Sequence, residues 1–237
     1  MSTRTGGISQ PPWDSLNLGT AVGDDAAAVA ENRRRFVAMT GAMPIWLRQV
    51  HGCQVVRVSS FLAAAEPVQA DAAWTDEPRV ACTIQVADCL PVLLAAPEGR
   101  AVAAAHAGWR GLAGGVIEAT LQALCEGAPC APQDVAVWLG PCIGPRQFEV
   151  GADVLQAFGQ SPQHPDPRRF VPRGLVTAGP PRWLADLPGL ARDRLFQAGV
   201  RHISGGEWCT VEDRSRFFSY RRDGITGRLA AAVWVRG

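Results

Sequence analysis

The chain has 237 residues, and 47% of them are hydrophobic, which is enough to bury the core of one domain. Its 23 basic and 22 acidic residues leave a formal net charge of +1, which argues against nucleic-acid binding through a large basic field. No window approaches the roughly 20 apolar residues of a membrane span, and the first residues lack the apolar stretch of a secretory signal, so we expect neither a membrane protein nor a secreted one.

The seven cysteines are scattered along the chain and include no CxxC pair. This pattern does not resemble a disulfide framework, whose cysteines are even in number and regularly spaced. We therefore expect free thiols in a reducing compartment, and a cytoplasmic location.

The first third of the chain predicts one helix and several strands. In chain order we expect an ordered segment (1–24), a helix (24–39), a strand pair or bent strand (45–58) and a strand (79–85). Asp24 or Asp25 is the expected N-cap of the helix, and Gly41 is expected to end it. Gly52 marks the predicted bend, directly after His51.

The middle of the chain predicts a β-hairpin followed by a helix. Strands over residues 91–96 and 100–105 flank a Pro-Glu-Gly turn, and a helix is expected over residues 112–125. Cys89 lies just before the first strand and His106 just after the second. Because a hairpin brings its two ends together, we expect a thiolate and an imidazole to meet at one edge of the sheet.

The last part of the chain predicts alternating strands and helices. In chain order we expect a strand (134–139), a short helix (153–158), a mobile loop (161–181), an amphipathic helix kinked at Pro188 (181–198) and two strands (200–204 and 229–235).

One interpretation of the four histidines is that two of them bind a metal ion. His164 and His202 are expected to be structural or solvated, whereas His51 and His106 each precede a small residue at a strand end. With Cys89 they form a His/Cys/His set whose spacings, 38 and 17 residues, are too long for a zinc finger. Three protein ligands leave the fourth tetrahedral position open, as in catalytic zinc sites.

Charged residues near these ligands indicate an anion site. Arg48 precedes His51 by three residues and Arg110 follows His106 by four, so both are candidates to clamp a phosphate or carboxylate. Asp88 is a candidate to orient a ligand, and Asp88 and Glu149 are the candidate general acid or base.

Several motifs resemble those of one family. They are GGIS, SLNLG, the QVHG that contains His51, ADCLPV, HAGWRG, GPCIGP, the Cys209-Thr210 pair and FFSYRRDGITGR, and they extend from residue 6 to residue 228. Together they look like the YfiH-like family, whose members are labelled laccase-domain proteins, polyphenol oxidases, purine nucleoside phosphorylases or peptidoglycan editing factors. Cys142 in the GPCIGP turn departs from the small residue expected in relatives.

The resemblance implies a single α/β (α+β) domain over residues 1–237, with mixed β-sheets and a relation to the catalytic domain of cytotoxic necrotizing factor. It implies zinc, with copper as an alternative, bound by His51, Cys89 and His106. The expected activity is phosphorolysis of adenosine, inosine and methylthioadenosine, with adenosine deamination beside it. The expected partners are a nucleoside and phosphate, and the expected assembly is a monomer or weak homodimer.

The sequence also predicts roles for individual residues. Cys89, His106, Arg48 and Arg110 are the predicted catalytic residues. Asn17 of SLNLG and Ser219 of FFSYRRDGITGR join the two arginines as predicted substrate-binding residues.

Two other functions remain open at this point. A cysteine or metal hydrolase that edits peptidoglycan precursors would use Cys89 as nucleophile and His106 as base. A copper-dependent polyphenol oxidase needs several copper ions held largely by histidines, and the chain has four histidines.

Overall fold

The computed structural model describes residues 1–63, 65–174 and 179–237. The described helices are α1 (Ala26–Thr40), α2 (Trp109–Gly114), α3 (Val116–Gly127), α4 (Ala152–Ala157), α5 (Leu187–Gln197) and α6 (Tyr220–Asp223). The described strands are β1 (Met43–Ile45), β2 (Val55–Arg57), β3 (Ala72–Thr75), β4 (Val80–Val86), β5 (Leu90–Ala95), β6 (Val102–Ala107), β7 (Ala136–Leu139), β8 (Glu149–Val150), β9 (Phe170–Pro172), β10 (Trp183–Ala185), β11 (His202–Gly205) and β12 (Leu229–Trp234).

Three sheets organise these strands. A six-stranded sheet has the order β11-β7-β5-β6-β3-β2, with β11–β7 and β2–β3 parallel and the other pairs antiparallel. A three-stranded sheet, β1-β4-β12, is also mixed, whereas β8-β10-β9 is antiparallel. The protein is thus a mixed α/β fold with several sheets, as the sequence predicts.

Strand β6 is the centre of this layered structure. All six of its residues are buried, because the helices cover one face of the large sheet and the β1-β4-β12 sheet covers the other. Side chains alternate between the two faces of a strand, so Ala103 and Ala105 pack toward the helices while Val102 and Ala104 pack toward β4. Small side chains allow both layers to approach the strand closely.

The N-terminal part agrees with the prediction. Leu16 and Leu18 are buried, so residues 1–24 form an ordered segment packed on the domain. Asp25 caps α1 by accepting hydrogen bonds from the backbone N–H groups of Ala27 and Ala28, and Gly41 ends the helix in the left-handed conformation.

Two predicted elements are divided in the structure. The expected helix over residues 112–125 is two helices, α2 and α3, because Gly115 between them has a φ of 100°. The expected helix over residues 181–198 is strand β10 followed by α5. Pro188 does not kink that helix, because it lies in the first turn, where no backbone donor is lost.

Two further segments differ from the prediction. The region predicted as a strand pair or a bent strand (45–58) contains two short strands, β1 and β2, which belong to different sheets and do not pair with each other. An irregular segment joins them, and in it His51 has a φ of 63°. The predicted mobile loop (161–181) contains strand β9, and its residues 175–178 lie outside the described part of the chain. The other predicted strands and the short helix agree with the structure within two residues, whereas β3 and β8 were not predicted.

The seven cysteines are all free thiols, as expected. Within the part of the chain that the structure describes, no helix has the length and apolar character needed to cross a membrane.

Candidate metal centre

The β5–β6 hairpin brings Cys89 and His106 together. His106 is paired with Pro91 across the antiparallel strands, and Cys89 lies two residues before Pro91. Residues two apart in an extended chain face the same side of a sheet, and the packing agrees, since Cys89 contacts the core cluster shared with β4. His106 is therefore inside β6, one residue before its end, rather than just after the strand as the sequence predicts.

His51 reaches the same place from the irregular segment between β1 and β2. Its left-handed backbone conformation is uncommon for a residue with a side chain and must be stabilised by its surroundings. The carboxylate of Asp71 provides this, because it accepts hydrogen bonds from the backbone N–H groups of Val50, His51 and Gly52, at 2.7–3.2 Å.

The three predicted metal ligands converge. The candidate ligand atoms of His51, Cys89 and His106 all lie within 4.8 Å of one another. The Cys89 sulfur is 3.8 Å from Nε2 of His51, and the two imidazole rings are edge-to-face with centroids 4.8 Å apart. Residues 38 and 17 positions apart in the sequence thus form one cluster, as the His/Cys/His interpretation predicts.

Asp71 also orients His106. Its Oδ1 lies 2.8 Å from Nδ1 of His106, and neither side chain is exposed by more than 4%. The carboxylate accepts a hydrogen bond from Nδ1–H of His106, so Nε2 is the nitrogen left to bind a metal. Metal-binding histidines in proteins are commonly held this way, with a carboxylate on the nitrogen opposite the metal.

The pKa values of Cys89, His106 and the neighbouring Asp71 differ from the ordinary values of these groups when no metal is bound. Burial raises the pKa of Cys89, but His106 and His51 outweigh it and lower that pKa to about 6. Burial lowers the pKa of His106, but the Cys89 thiolate and Asp71 raise it to about 9. Burial raises the pKa of Asp71, yet the hydrogen bonds from His106, Gly52 and Val50 hold it below its ordinary value. These shifts favour a thiolate–imidazolium pair beside a carboxylate when no metal is bound.

Gly108 leaves space beside the ligands. A Cβ atom at this position would lie 2.9 Å from the Cys89 sulfur and 3.1 Å from Cδ2 of His51, so any larger residue would displace a ligand. Thiolate and imidazole donors suit zinc and copper, and three of them leave further coordination positions open. The residues present therefore fit a bound metal ion.

The three ligands lie in the wall of a cleft of about 880 Å³. Besides the ligands, the cleft is lined by polar and aromatic side chains, which include Arg33, Trp46, Arg48, Glu66, Tyr220 and Arg228. Its size and the mixture of aromatic and polar groups are typical of a small-molecule site.

The predicted anion-binding arginines are in different places. Arg48 is exposed and lines the cleft beside His51. Arg110 is exposed as well, but its guanidinium stacks on the ring of Trp109, 4.3 Å away, and it is not among the described residues that line the cleft.

Asn17 and Ser219 are fully buried below the cleft wall. Asn17 accepts hydrogen bonds from the backbone N–H groups of Gly19 and Arg228, both of which line the cleft. Ser219 caps α6 through the backbone N–H of Arg222. Both side chains therefore shape the wall from behind, and their predicted contact with substrate stays a prediction.

The two candidate acid–base residues are also tied to the scaffold. Asp88 accepts hydrogen bonds from the Thr210 hydroxyl and the backbone N–H of Arg221, each at 2.6 Å, and so joins the loop before Cys89 to two distant segments. Glu149 forms an ion pair with Arg173. Neither belongs to the described lining of the cleft.

Four site residues of the structure were not predicted from the sequence: Asp71, Gly108, Arg33 and Arg228. Asp71 lies 20 residues after His51 and 35 before His106, so no local pattern connects it with them. Arg33 is one of three consecutive arginines in α1, and the sequence does not show which of the three lines the cleft. Arg228 is the last residue of the FFSYRRDGITGR motif, so the motif could have indicated it as a site residue.

Comparison with known proteins gives a consistent result. The family model described as "Multi-copper polyphenol oxidoreductase laccase" matches residues 1–236. A purine nucleoside phosphorylase from Pseudomonas aeruginosa is 50% identical over 100% of this chain and 92% of its own length. The purine nucleoside phosphorylase YfiH of Escherichia coli is 44% identical over 99% of this chain and 92% of its own length.

A solved structure agrees with these sequence matches. The crystal structure of protein NMB0706 from Neisseria meningitidis superposes with a TM-score of 0.89 at 45% identity, over 99% of this chain and 92% of the other. The chain therefore belongs to the laccase-like YfiH family, as its sequence motifs predict.

Proposed function

We propose that the protein is a zinc-dependent purine nucleoside phosphorylase that also deaminates adenosine. One observation carries this proposal: His51, Cys89 and His106 converge in the wall of a cleft large enough for a nucleoside and phosphate together. The names of the relatives from Pseudomonas aeruginosa and Escherichia coli support the phosphorylase activity.

The residues of the cleft suit the two substrates. Tyr220 is an exposed aromatic surface against which a planar base would pack, and Arg48 supplies a positive charge for phosphate. Gln49 is committed to the scaffold, because its side chain exchanges two hydrogen bonds with the backbone of Gln85. A bound zinc ion would supply a Lewis acid and activated water for deamination.

The proposal is tested by incubating the metal-loaded protein with adenosine, with and without phosphate, and identifying the products by mass. Adenine and ribose phosphate are expected when phosphate is present, and inosine is expected without it. Formation of neither product would overturn the proposal.

A second candidate function rests on the contacts of His106. The set resembles a catalytic triad, with Cys89 as the nucleophile, His106 as the base and Asp71 as the carboxylate that orients the base. The pKa of Cys89 is lowered to about 6, which favours the nucleophilic thiolate. A cysteine hydrolase acting on cell-wall precursors would use such a set. A thiolate that binds zinc is a poor free nucleophile, so hydrolysis by metal-free protein that is abolished by thiol alkylation would favour this function.

Copper is a poorer fit than zinc for an oxidase of the multi-copper type. Within the described residues, one cluster of three candidate ligands is present, and His164 and His202 are exposed outside it. Several copper ions would need more ligands than this cluster offers. Copper at the single site remains an alternative cofactor, tested by comparing the oxidase activity of copper-loaded and zinc-loaded protein.

Other expectations stay predictions. We expect a cytoplasmic protein that is a monomer or a weak homodimer and whose partners are nucleoside and phosphate. We also expect its fold to be related to the catalytic domain of cytotoxic necrotizing factor. Sedimentation velocity at micromolar concentration measures the assembly.

A further inference from the structure

Two arginines of the cleft hold the same turn from opposite sides. The Nε of Arg33 donates to the carbonyl of Leu18, and the backbone N–H of Leu18 donates to the carbonyl of Arg228, each at 3.0 Å. A Cβ atom on Gly19 would lie 2.6 Å from Cγ of Arg228, so the turn also packs directly on the arginine side chain. The buried turn therefore fixes both arginines in the cleft wall.

Much of the hydrogen-bonding capacity of these guanidinium groups is unused. Arg228 donates through Nη1 to the carbonyls of Thr226 and Gly227, and no partner for its Nε or Nη2 is found among the described residues. Arg33 stacks on Trp46 at 4.0 Å, and its two Nη atoms likewise lack partners in the described part of the chain. A guanidinium has five N–H donors, so each group retains donors for a ligand.

Neither charge is neutralised by the protein. No ion pair to Arg33 or Arg228 occurs within the described residues, and Glu66 is the one carboxylate among those described residues that line the cleft. Burial lowers the pKa of Arg33 to about 10 and lowers that of Arg228 as well. Half-buried positive charges of this kind are costly unless an anion binds beside them.

Arg228 also shares its cleft with the metal ligands. Both arginines and the three candidate ligands lie in the wall of this one cleft. An anion bound by the two arginines would thus lie in the same cleft as a metal ion held by the ligands.

We propose that Arg33 and Arg228 form the phosphate subsite of the cleft and hold free inorganic phosphate during phosphorolysis. This inference rests on the proposed function and names residues that bind its second substrate. Planar guanidinium groups match the oxygens of phosphate in paired hydrogen bonds, which an ammonium group does not. In this proposal Arg33 and Arg228 bind the phosphate that the sequence predicts Arg110 to bind.

The test is direct binding of inorganic phosphate to the metal-loaded protein, measured by isothermal titration, together with the phosphate KM at saturating adenosine. The variants are Arg33→Gln and Arg228→Gln, and the matched control is Arg34→Gln, because Arg34 is the neighbouring arginine of α1 and pairs with Glu31 away from the cleft. We expect phosphate affinity to fall at least about tenfold in the first two variants and to be unchanged in the control.

Two further variants keep the test informative if a glutamine substitution disturbs folding. Arg228→Lys retains the charge and is expected to recover part of the phosphate affinity. Gly19→Ala retains both arginines but displaces Arg228, so it is expected to weaken phosphate binding while zinc content stays at the wild-type value.

The outcomes separate the subsite from the proposed function. Phosphorolysis with a phosphate KM that is unaltered in Arg33→Gln and Arg228→Gln would overturn the subsite and leave the function standing. Phosphate binding that needs both arginines, without phosphorolysis, would support the subsite and overturn the function. Titration of adenosine monophosphate in parallel distinguishes the source of the anion: weakened nucleotide binding with unaltered phosphate binding would overturn the assignment to free phosphate.

Discussion

Asp71 is the residue that joins the two histidines of the metal centre. One carboxylate accepts hydrogen bonds from three consecutive backbone N–H groups around His51 and from the imidazole of His106. It therefore stabilises the left-handed conformation of His51 and selects the nitrogen with which His106 binds a metal. Removing its charge should affect metal binding more than it affects the fold.

We expect Asp71→Asn to weaken zinc binding by about 10- to 100-fold, because an amide is a poorer acceptor for His106 and for the three backbone donors. Competition with a chromophoric chelator measures the affinity. Asp76→Asn is the matched control, since Asp76 pairs with Arg57 on the surface. Equal zinc affinity in the Asp71 variant and the wild type would show that the carboxylate does not orient the ligands.

The lowered pKa of Cys89 predicts unusual thiol reactivity in metal-free protein. The thiolate is the reactive form, so alkylation by iodoacetamide should reach half its maximal rate near pH 6 instead of near pH 9. Cys82 and Cys142 should stay unmodified, because burial raises the pKa of both. Replacing His106 with glutamine should move the Cys89 profile to higher pH. Mass spectrometry of alkylated peptides measures each site, and a Cys89 profile centred near pH 9 would contradict the thiolate–imidazolium pair.

At the scale of elements, the hairpin could be predicted from sequence and the loop that carries His51 could not. The Pro-Glu-Gly turn between two apolar runs is a local signal, and it correctly brings Cys89 to His106. The position of His51 depends on Asp71, a long-range contact without a sequence pattern. The strand β10 inside the predicted helix over 181–198 has a similar cause, because its pairing partners lie in β8 and β9.

The break between α2 and α3 depends on Gly115. Its φ of 100° is strained for any residue with a side chain, so we expect Gly115→Ala to lower the free energy of unfolding by about 1–2 kcal/mol. Urea denaturation measures this value. Gln122→Ala, an exposed change on α3, should stay within about 0.5 kcal/mol of the wild type. A Gly115 variant as stable as that control would mean that the break has another origin.

At the scale of the whole molecule, the metal centre connects separate layers. Two ligands lie at the ends of β5 and β6, which are interior strands of the large sheet. The third lies in the segment between β1 and β2, and these two strands belong to different sheets. The family motifs predicted this ligand set and the mixed α/β fold, since they extend along nearly the whole chain. The two arginines that share the cleft with the ligands lie on α1 and next to β12, so composition and spacing alone could not assign them to the same cleft.

A ligand that binds the folded protein alone stabilises it against unfolding. We expect zinc at a hundredfold excess over its dissociation constant to add about 2.7 kcal/mol to the free energy of unfolding, seen as a rise in melting temperature. Cys89→Ser should lose this rise, whereas Cys130→Ser should keep it, because Cys130 contacts Cys125 and does not belong to the ligand cluster. An equal rise in both variants would mean that zinc binds elsewhere.

The most direct measurement is a zinc titration of adenosine phosphorolysis, starting from metal-free protein in the presence of phosphate. If His51, Cys89 and His106 hold one ion that the reaction requires, activity should increase linearly to one equivalent of zinc and then stay constant, and Cys89→Ser should remain inactive throughout. Full turnover before any zinc is added, or a Cys89→Ser variant as active as the wild type, would contradict the role of the site.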